Sequence, residues 1–194
     1  MKFNICAVVT LVFFLAAGCG ESDDDVDYNP GELGPAGGYI FFVDDNNDHE
    51  FTYLEAAPTD VEFDDGQHVL HEWASGYADA FMIGATNTAI GAGAANTQTI
   101  VAALEEDEQT GRAAQVADEY EAGGYDDWFL PSRDELELMY EVLHEEGLGD
   151  FDSIDYWSSS ETAMDRATGQ NFGSGLQTAW LKTFRYRVRP VRAF

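Results

Sequence analysis

Carboxylates dominate the groups that could do chemistry in this chain. There are 37 Asp and Glu against 9 Lys and Arg in 194 residues, a formal net charge of −28. At that density any two acids could be proposed as a glycosidase acid and nucleophile, so spacing alone selects none of them. One acidic run has ligand-like order: Asp44, Asn46 and Asp48 place oxygens at alternate positions, and Glu55 falls at the twelfth position of the same loop. That pattern can wrap a calcium ion. His49, however, stands where such a loop needs glycine, and a plain acidic hairpin turn is the competing reading. No cofactor other than calcium is suggested. His71-Glu72 lacks the second histidine of a zinc helix, and Gly173-Ser174-Gly175 lacks the spacing of a nucleophile elbow. Gly91-Ala92-Gly93 stops short of a dinucleotide loop and reads as a loop entering a helix. His49, His68, His71 and His144 have no triad-like neighbours and read as surface or loop residues. Cys6 and Cys19 are the only cysteines, which leaves no thiol chemistry or disulfide framework for residues 37–194.

The C-terminal segment differs in kind. Residues 165–194 hold six of the nine basic residues and a single acid, Asp165. Arg187, Arg189 and Arg192 suit planar pairing with carboxylates inside the fold. The same segment carries Leu176, Trp180, Leu181, Phe184 and Tyr186. Large aromatics on a short-stranded surface bury much area with little rotamer loss. The candidate binding face is therefore Thr168, Ser174, Leu176, Thr178, Trp180, Lys182, Phe184 and Tyr186, within 168–186. The competing reading is that half of them alternate inward, with Trp180 and Lys182 on one side and Leu181 and Thr183 on the other.

The elements that must position these residues read as α+β. Residues 38–54 form a hairpin with a long polar loop. Residues 59–93 are loop-rich, with Trp73 as a buried anchor. Asn96 is placed to cap a helix over 97–105, and a second short helix is expected over 110–121. Ser132-Arg133-Asp134-Glu135 is a capping box. It opens a helix with Leu136, Leu138, Met139, Val142 and Leu143 on one stripe, ended by Gly147. From Tyr156 onward short strands follow one another.

The first twenty residues read as an address. Lys2 precedes an apolar run from Ile5 to Ala17, too short to span a bilayer, and the run closes on Leu15-Ala16-Ala17-Gly18-Cys19. This order resembles a bacterial lipobox, which implies lipidation of Cys19. The chain divides into a signal peptide at 1–18, an acidic Gly/Pro tether at 19–36 and one domain at 37–194. Gly20 and Glu21 follow the cysteine, so the expected site is the cell envelope, at the outer membrane. The acidity argues against a nucleic-acid partner.

Several pieces then occur together in order: Gly37-Gly38-Tyr39-Ile40-Phe41-Phe42-Val43, Ile83-Gly84-Ala85-Thr86-Asn87, Gly124-Tyr125-Asp126-Asp127-Trp128-Phe129-Leu130-Pro131-Ser132, Tyr156-Trp157-Ser158-Ser159-Ser160-Glu161, Gln170-Asn171-Phe172, and Arg187-Val188-Arg189-Pro190-Val191-Arg192. Across residues 37–194 the chain resembles the bacterial family named for the C-terminal domain of the Lcl collagen-like adhesin. The resemblance implies a C-type-lectin-like fold, of the branch that includes formylglycine-generating enzymes: an N-terminal hairpin, two to three helices and several short antiparallel strands at the C-terminal end. It also implies an exported or lipid-anchored protein. The enzyme branch relies on cysteines that this domain lacks, so no catalysis is expected. The adhesin is associated with sulfated glycosaminoglycans, and here only the basic end could meet such a ligand. The Trp-Phe-Leu-Pro-Ser, Tyr-Trp-Ser-Ser and Val-Arg-Pro-Val-Arg runs read as scaffold. The expectation is a lipid-anchored ligand-binding or adhesion domain for a glycan or protein. A structural envelope lipoprotein and a carboxylate-dependent glycan-acting enzyme are the alternatives.

Overall fold

The computed structural model describes residues 26–62, 69–75 and 82–194. Cys19, the apolar run before it and His68 lie outside the described residues. Among the described residues no helix is long and apolar enough to cross a membrane. The fold is α+β, with three α-helices and antiparallel sheets among the described residues.

The N-terminal hairpin forms as expected. β1 (Tyr39–Val43) pairs antiparallel with β2 (Tyr53–Ala56). Phe41 and Leu54 join the core, and a register irregularity between Ile40 and Phe42 lets the adjacent Ile40 be buried as well. A short strand, β3 (His71–Glu72), follows. Next come α1 (Gly93–Glu106), α2 (Ala113–Asp118) and α3 (Arg133–Met139). A π-helical turn over Tyr140–His144 continues α3. The remaining strands are β4 (Asp155–Ala163), β5 (Arg166–Asn171), β6 (Gln177–Leu181), β7 (Arg185–Tyr186) and β8 (Val191–Ala193). They build three small sheets, ordered β1-β2-β8, β3-β7 and β4-β5-β6. A parallel bridge between Tyr156 and Arg187 ties β4 to the end of β7, and a bridge from Phe129 to Val191 extends the first sheet.

Two large apolar clusters and a small one of Ala36, Ala57 and Trp128 fill the space between these layers. Trp73, Ile100, Leu104, Ala117, Leu130, Trp157 and Val188 form one; Phe41, Leu54, Phe129, Leu136, Met139, Tyr156, Phe172 and Val191 form the other. The runs read as scaffold are buried accordingly: Trp128, Phe129, Leu130, Tyr156, Trp157, Val188 and Val191 all belong to the core.

Four local expectations change. Asn96 does not cap a helix; α1 begins at Gly93, one turn earlier. The Asn96 amide instead donates to Asn87 O (2.7 Å) and Ser159 Oγ (3.3 Å), fixing the loop before the helix. The second helix is shorter, because Arg112 is extended and starts it only at Ala113. Part of the expected tether is folded: Gly31 N–H donates to Ile40 O, Ile40 N–H to Glu32 O, and Ala36 is buried against the Glu55 carboxylate. The capping box at Ser132 forms as predicted, with Ser132 Oγ accepting from Glu135 N–H and Glu135 Oε2 accepting from Ser132 N–H. The stripe is half as deep as expected, since Leu136, Met139 and Leu143 are buried while Leu138 and Val142 are only partly so.

The C-terminal cations mostly serve the fold. Arg192 forks onto Asp127 (Nε–Oδ1 2.8 Å, Nη2–Oδ2 3.0 Å) and lies over the Tyr125 ring. Arg189 holds Asp60 at 2.6 Å and caps the Ala57 and Gly149 carbonyls. Arg187 reaches Asp152 at 2.5 Å.

Candidate functional site

The predicted face sits on β5, β6 and β7. Trp180 on β6 pairs with Ala167, and Thr178 with Gly169, which in turn pairs with Trp157. Cross-strand partners share a face, so Asp155, Trp157, Gly169, Thr178 and Trp180 look the same way. Gly169 makes room there. A Cβ at that position would lie 3.1 Å from Trp180 Cδ1 and 2.9 Å from Tyr156 O.

Aromatic rings then gather around Tyr186. Its ring centroid is 4.7 Å from Trp157, 5.8 Å from Trp180 and 6.2 Å from Phe184, and Trp180 and Phe184 are 6.1 Å apart. The cluster grades from core to solvent. Trp157 is fully buried, Trp180 and Tyr186 are half-buried, and Phe184 is 42% exposed. Leu176, before β6, is 63% exposed. Apolar surface of this kind lies open to solvent only at a cost.

Polar atoms at the same place lack protein partners. Trp180 Nε1, His71 Nε2 and Asp155 Oδ1 are buried without a hydrogen bond among the described residues. Burial first, and then the Asp155 carboxylate, push the Tyr186 hydroxyl up to about 12. It is therefore a neutral donor at physiological pH. Burial lowers the pKa of His71, against the Gly111 carbonyl that meets its Nδ1 at 3.0 Å. A neutral ring donating from Nδ1 presents Nε2 as an acceptor. The aromatic platform thus lies over one unpaired indole donor and two unpaired acceptors, all buried, with the Tyr186 phenol at its centre.

Two residues expected on this face are not there. Lys182 is fully buried. Its Nζ meets Glu161 Oε1 at 2.5 Å and Met164 O at 2.6 Å, and stands 4.8 Å over the Trp73 ring. The chain turns at the end of β6 and sends Lys182 inward to neutralise a buried carboxylate. Thr168 is also buried, on the opposite face of β5 from Gly169. Ser174 is exposed but spends its hydroxyl on Asn171 Oδ1 in the turn between β5 and β6. Leu176, Thr178, Trp180, Phe184 and Tyr186 remain. Asp155 and His71 were missed. Asp155 could have been read from its alternation with Trp157, but His71 reaches the site only through the long-range pairing of β3 with β7.

The Asp44, Asn46 and Asp48 turn shows a different use of oxygen. Asp44 Oδ2 accepts the His49 N–H at 2.7 Å. Desolvation would raise its pKa, but the amides of His49, Asp48 and Asn46 outweigh it and hold the carboxyl below its usual range. Glu55 turns into the core, where it accepts from Ala36 and Gly38 N–H and faces Arg192. The calcium pattern is not assembled by these side chains, because Asp44 closes its own turn and Glu55 closes another. Among the described residues no group of three His, Cys, Asp or Glu is placed to hold a metal ion.

The described residues form an α+β scaffold that carries an aromatic cluster open to solvent at one side. The Lcl C-terminal domain family matches residues 57–192, and the chain belongs to that family. No curated protein matches it. Among solved structures it is similar to a fimbrial protein from Bacteroides ovatus, with a TM-score of 0.52 at 13% sequence identity, over 86% of this chain and 46% of that one. The chain spans about half the length of that structure, and the likeness is one of fold.

Proposed function

We propose that this protein is a non-catalytic ligand-binding domain of adhesion type at the cell envelope, lipid-anchored through Cys19 and carrying a C-type-lectin-like fold. Its ligand is a glycan or a protein. The observation that carries the reading is the graded aromatic cluster Trp157–Tyr186–Trp180–Phe184, open to solvent at Phe184 and Leu176 and edged by unpaired polar atoms. Such a platform stacks on apolar ligand faces. Family membership and the fimbrial fold likeness support a surface role.

The non-catalytic reading is supported by how three of the perturbed groups are used. Glu135, Glu55 and Tyr156 are all shifted by burial, yet Glu135 and Glu55 hold backbone amides and Tyr156 holds Asp60. In these three groups the perturbation serves structure.

Glycan and protein arrays probed with wild type and Phe184→Ala test the reading. Phe184 packs only at the open edge of the cluster, so its removal should leave the protein folded, with a loss of unfolding free energy in urea of about 1 kcal/mol. Array signal should fall about tenfold or more, as for loss of an aromatic anchor. Equal signal from both proteins, or none from either, would overturn the assignment. Metabolic labelling with a palmitate analogue tests the anchor: label on wild type and none on Cys19→Ser is the expected result.

A further inference from the structure

Carboxylates inside this fold are paired. Asp44, Glu55, Asp60, Glu135 and Glu161 are buried, and each accepts from a backbone amide, an arginine or a lysine. Asp155, at the start of β4, differs. Its Oδ1 is buried without a hydrogen bond, and its side chain has no ion-pair partner among the described residues. A carboxylate drawn out of water without a partner costs free energy. Only Oδ1 is sealed. Oδ2 and the Tyr186 hydroxyl, likewise without a protein partner, stay open to solvent.

Register sets this carboxylate beside the aromatic cluster. Arg187 N–H donates to Asp155 O, Trp157 N–H donates to Arg187 O, and Tyr156 is bridged to Arg187. Tyr156 and Arg187 therefore point to one side, and Asp155, Trp157 and Tyr186 to the other. The Asp155 charge is felt at the Tyr186 hydroxyl, where after burial it is the cause of the raised pKa. Cations in the neighbourhood are committed elsewhere. Arg185 and Arg112 both hold Glu72, Arg166 lies 3.7 Å from Asp165, and Arg187 turns away to Asp152. His71, with its lowered pKa, adds no positive charge.

We infer that Asp155 anchors the ammonium group of a lysine from a partner protein, whose stem lies on the aromatic cluster. This rests on the reading of the cluster as a ligand-binding face, and it names the ligand as a basic protein surface. The ammonium supplies the charge-assisted donor that Asp155 lacks. The faces of the Trp180, Tyr186 and Phe184 rings carry negative potential and favour a cation over an anion. The four-carbon stem is apolar and suits the open side of the cluster, where Phe184 and Leu176 are exposed. An amino sugar would bring the same ammonium, but its hydroxyls would find Trp180 Nε1 and His71 Nε2 sealed from them. The whole molecule agrees in sign, since a net charge of −28 draws basic partners and repels acidic ones.

The test titrates the full chain in detergent with α-N-acetyl-lysine methylamide and, separately, with methyl glucosaminide, following the Trp180 indole N–H by NMR. Each probe carries one ammonium, which keeps general attraction to an acidic protein small. The ε-acetylated lysine probe is the uncharged control. Asp155→Asn removes the charge and keeps the shape, and Asp45→Asn removes the same charge from the exposed hairpin turn. The lysine probe should shift the indole signal and its acetylated form should not. Asp155→Asn should bind about tenfold more weakly, while Asp45→Asn binds as wild type. The urea midpoint of Asp155→Asn should equal or exceed that of wild type, because no internal partner is lost; a lowered midpoint would assign Asp155 to the fold and overturn the inference. A lysine probe that leaves the indole unmoved, or that binds Asp155→Asn as it binds wild type, also overturns it. Binding of the glucosaminide without the lysine probe overturns it in favour of an amino glycan. Array binding that is lost in Phe184→Ala but kept in Asp155→Asn overturns it and leaves the ligand-binding face standing. Array binding that survives both substitutions removes the face as well.

Discussion

At the scale of single residues, the most consequential side chain is Lys182. Sequence alternation gave it to the binding face beside Trp180, whereas the fold uses it to hold Glu161, both side chains being wholly buried. Glu161 also accepts Ile83 and Gly84 N–H, so it ties three segments together. Removing one partner strands a buried charge. Lys182→Met should cost about 3–5 kcal/mol by urea denaturation, and the double variant with Glu161→Gln should recover part of that loss. A double variant no more stable than Lys182→Met would show that the charge itself is not the burden. Glu135 offers a second test. Burial, opposed by the Ser132, Gly91 and Gly93 amides, raises its pKa from 4.5 to about 7. The fold therefore prefers the protonated acid. Its contribution is complete below pH 4.5 and is lost as pH rises through 7, a change of up to about 3 kcal/mol. Wild-type stability should fall across that window, and Glu135→Gln should remove that slope, whatever its offset in absolute stability.

At the scale of elements, what was legible followed from local rules. The hairpin at 38–54 was written in two β-rich runs, Tyr39–Val43 and Phe51–Leu54, on either side of a polar turn. The helix after Ser132 was written in its capping box, whose Ser and Glu are reciprocally bonded. What was not legible depended on distant partners. Asn96 looked like a cap because nothing local says that Asn87 and Ser159 claim its amide. His71 looked like a loop residue because its strand partner, Tyr186, lies at the other end of the domain. The burial of Lys182 could not be read without knowing that Trp73 and Glu161 converge on it. Gly169 belongs to this scale too, since a strand interior disfavours glycine unless something approaches closely. Gly169→Ala would press on the Tyr156 carbonyl and the Trp180 indole. We expect a shifted tryptophan emission and weaker ligand binding, with a loss of stability of roughly 1–3 kcal/mol. Unchanged emission would mean that the indole does not rest on that glycine.

At the scale of the whole molecule, charge sets the behaviour. A net −28 on 194 residues repels itself across the surface while Lys182, Arg189 and Arg192 are drawn into internal pairs. Added salt should screen that repulsion more than it weakens the buried pairs. The melting temperature should therefore rise by several degrees between roughly 10 mM and 500 mM sodium chloride, and a falling value would assign the stability to surface pairs instead. The N-terminal side of the domain carries a further consequence. Tyr28 packs edge-on against Tyr53 and Phe194, and the strand-like stretch after it is held to β1 by Gly31–Ile40, Ile40–Glu32 and Gly34–Gly38 bonds. A pull arriving from residues before 28 meets this stretch first and peels those bonds one after another, which takes less force than shearing a sheet. Residues 28–37 would pay out about 30 Å of chain at roughly 3.4 Å per residue before β1, β2 and β8 bear any load. Under tension the domain would thus give at its root and keep its ligand face intact.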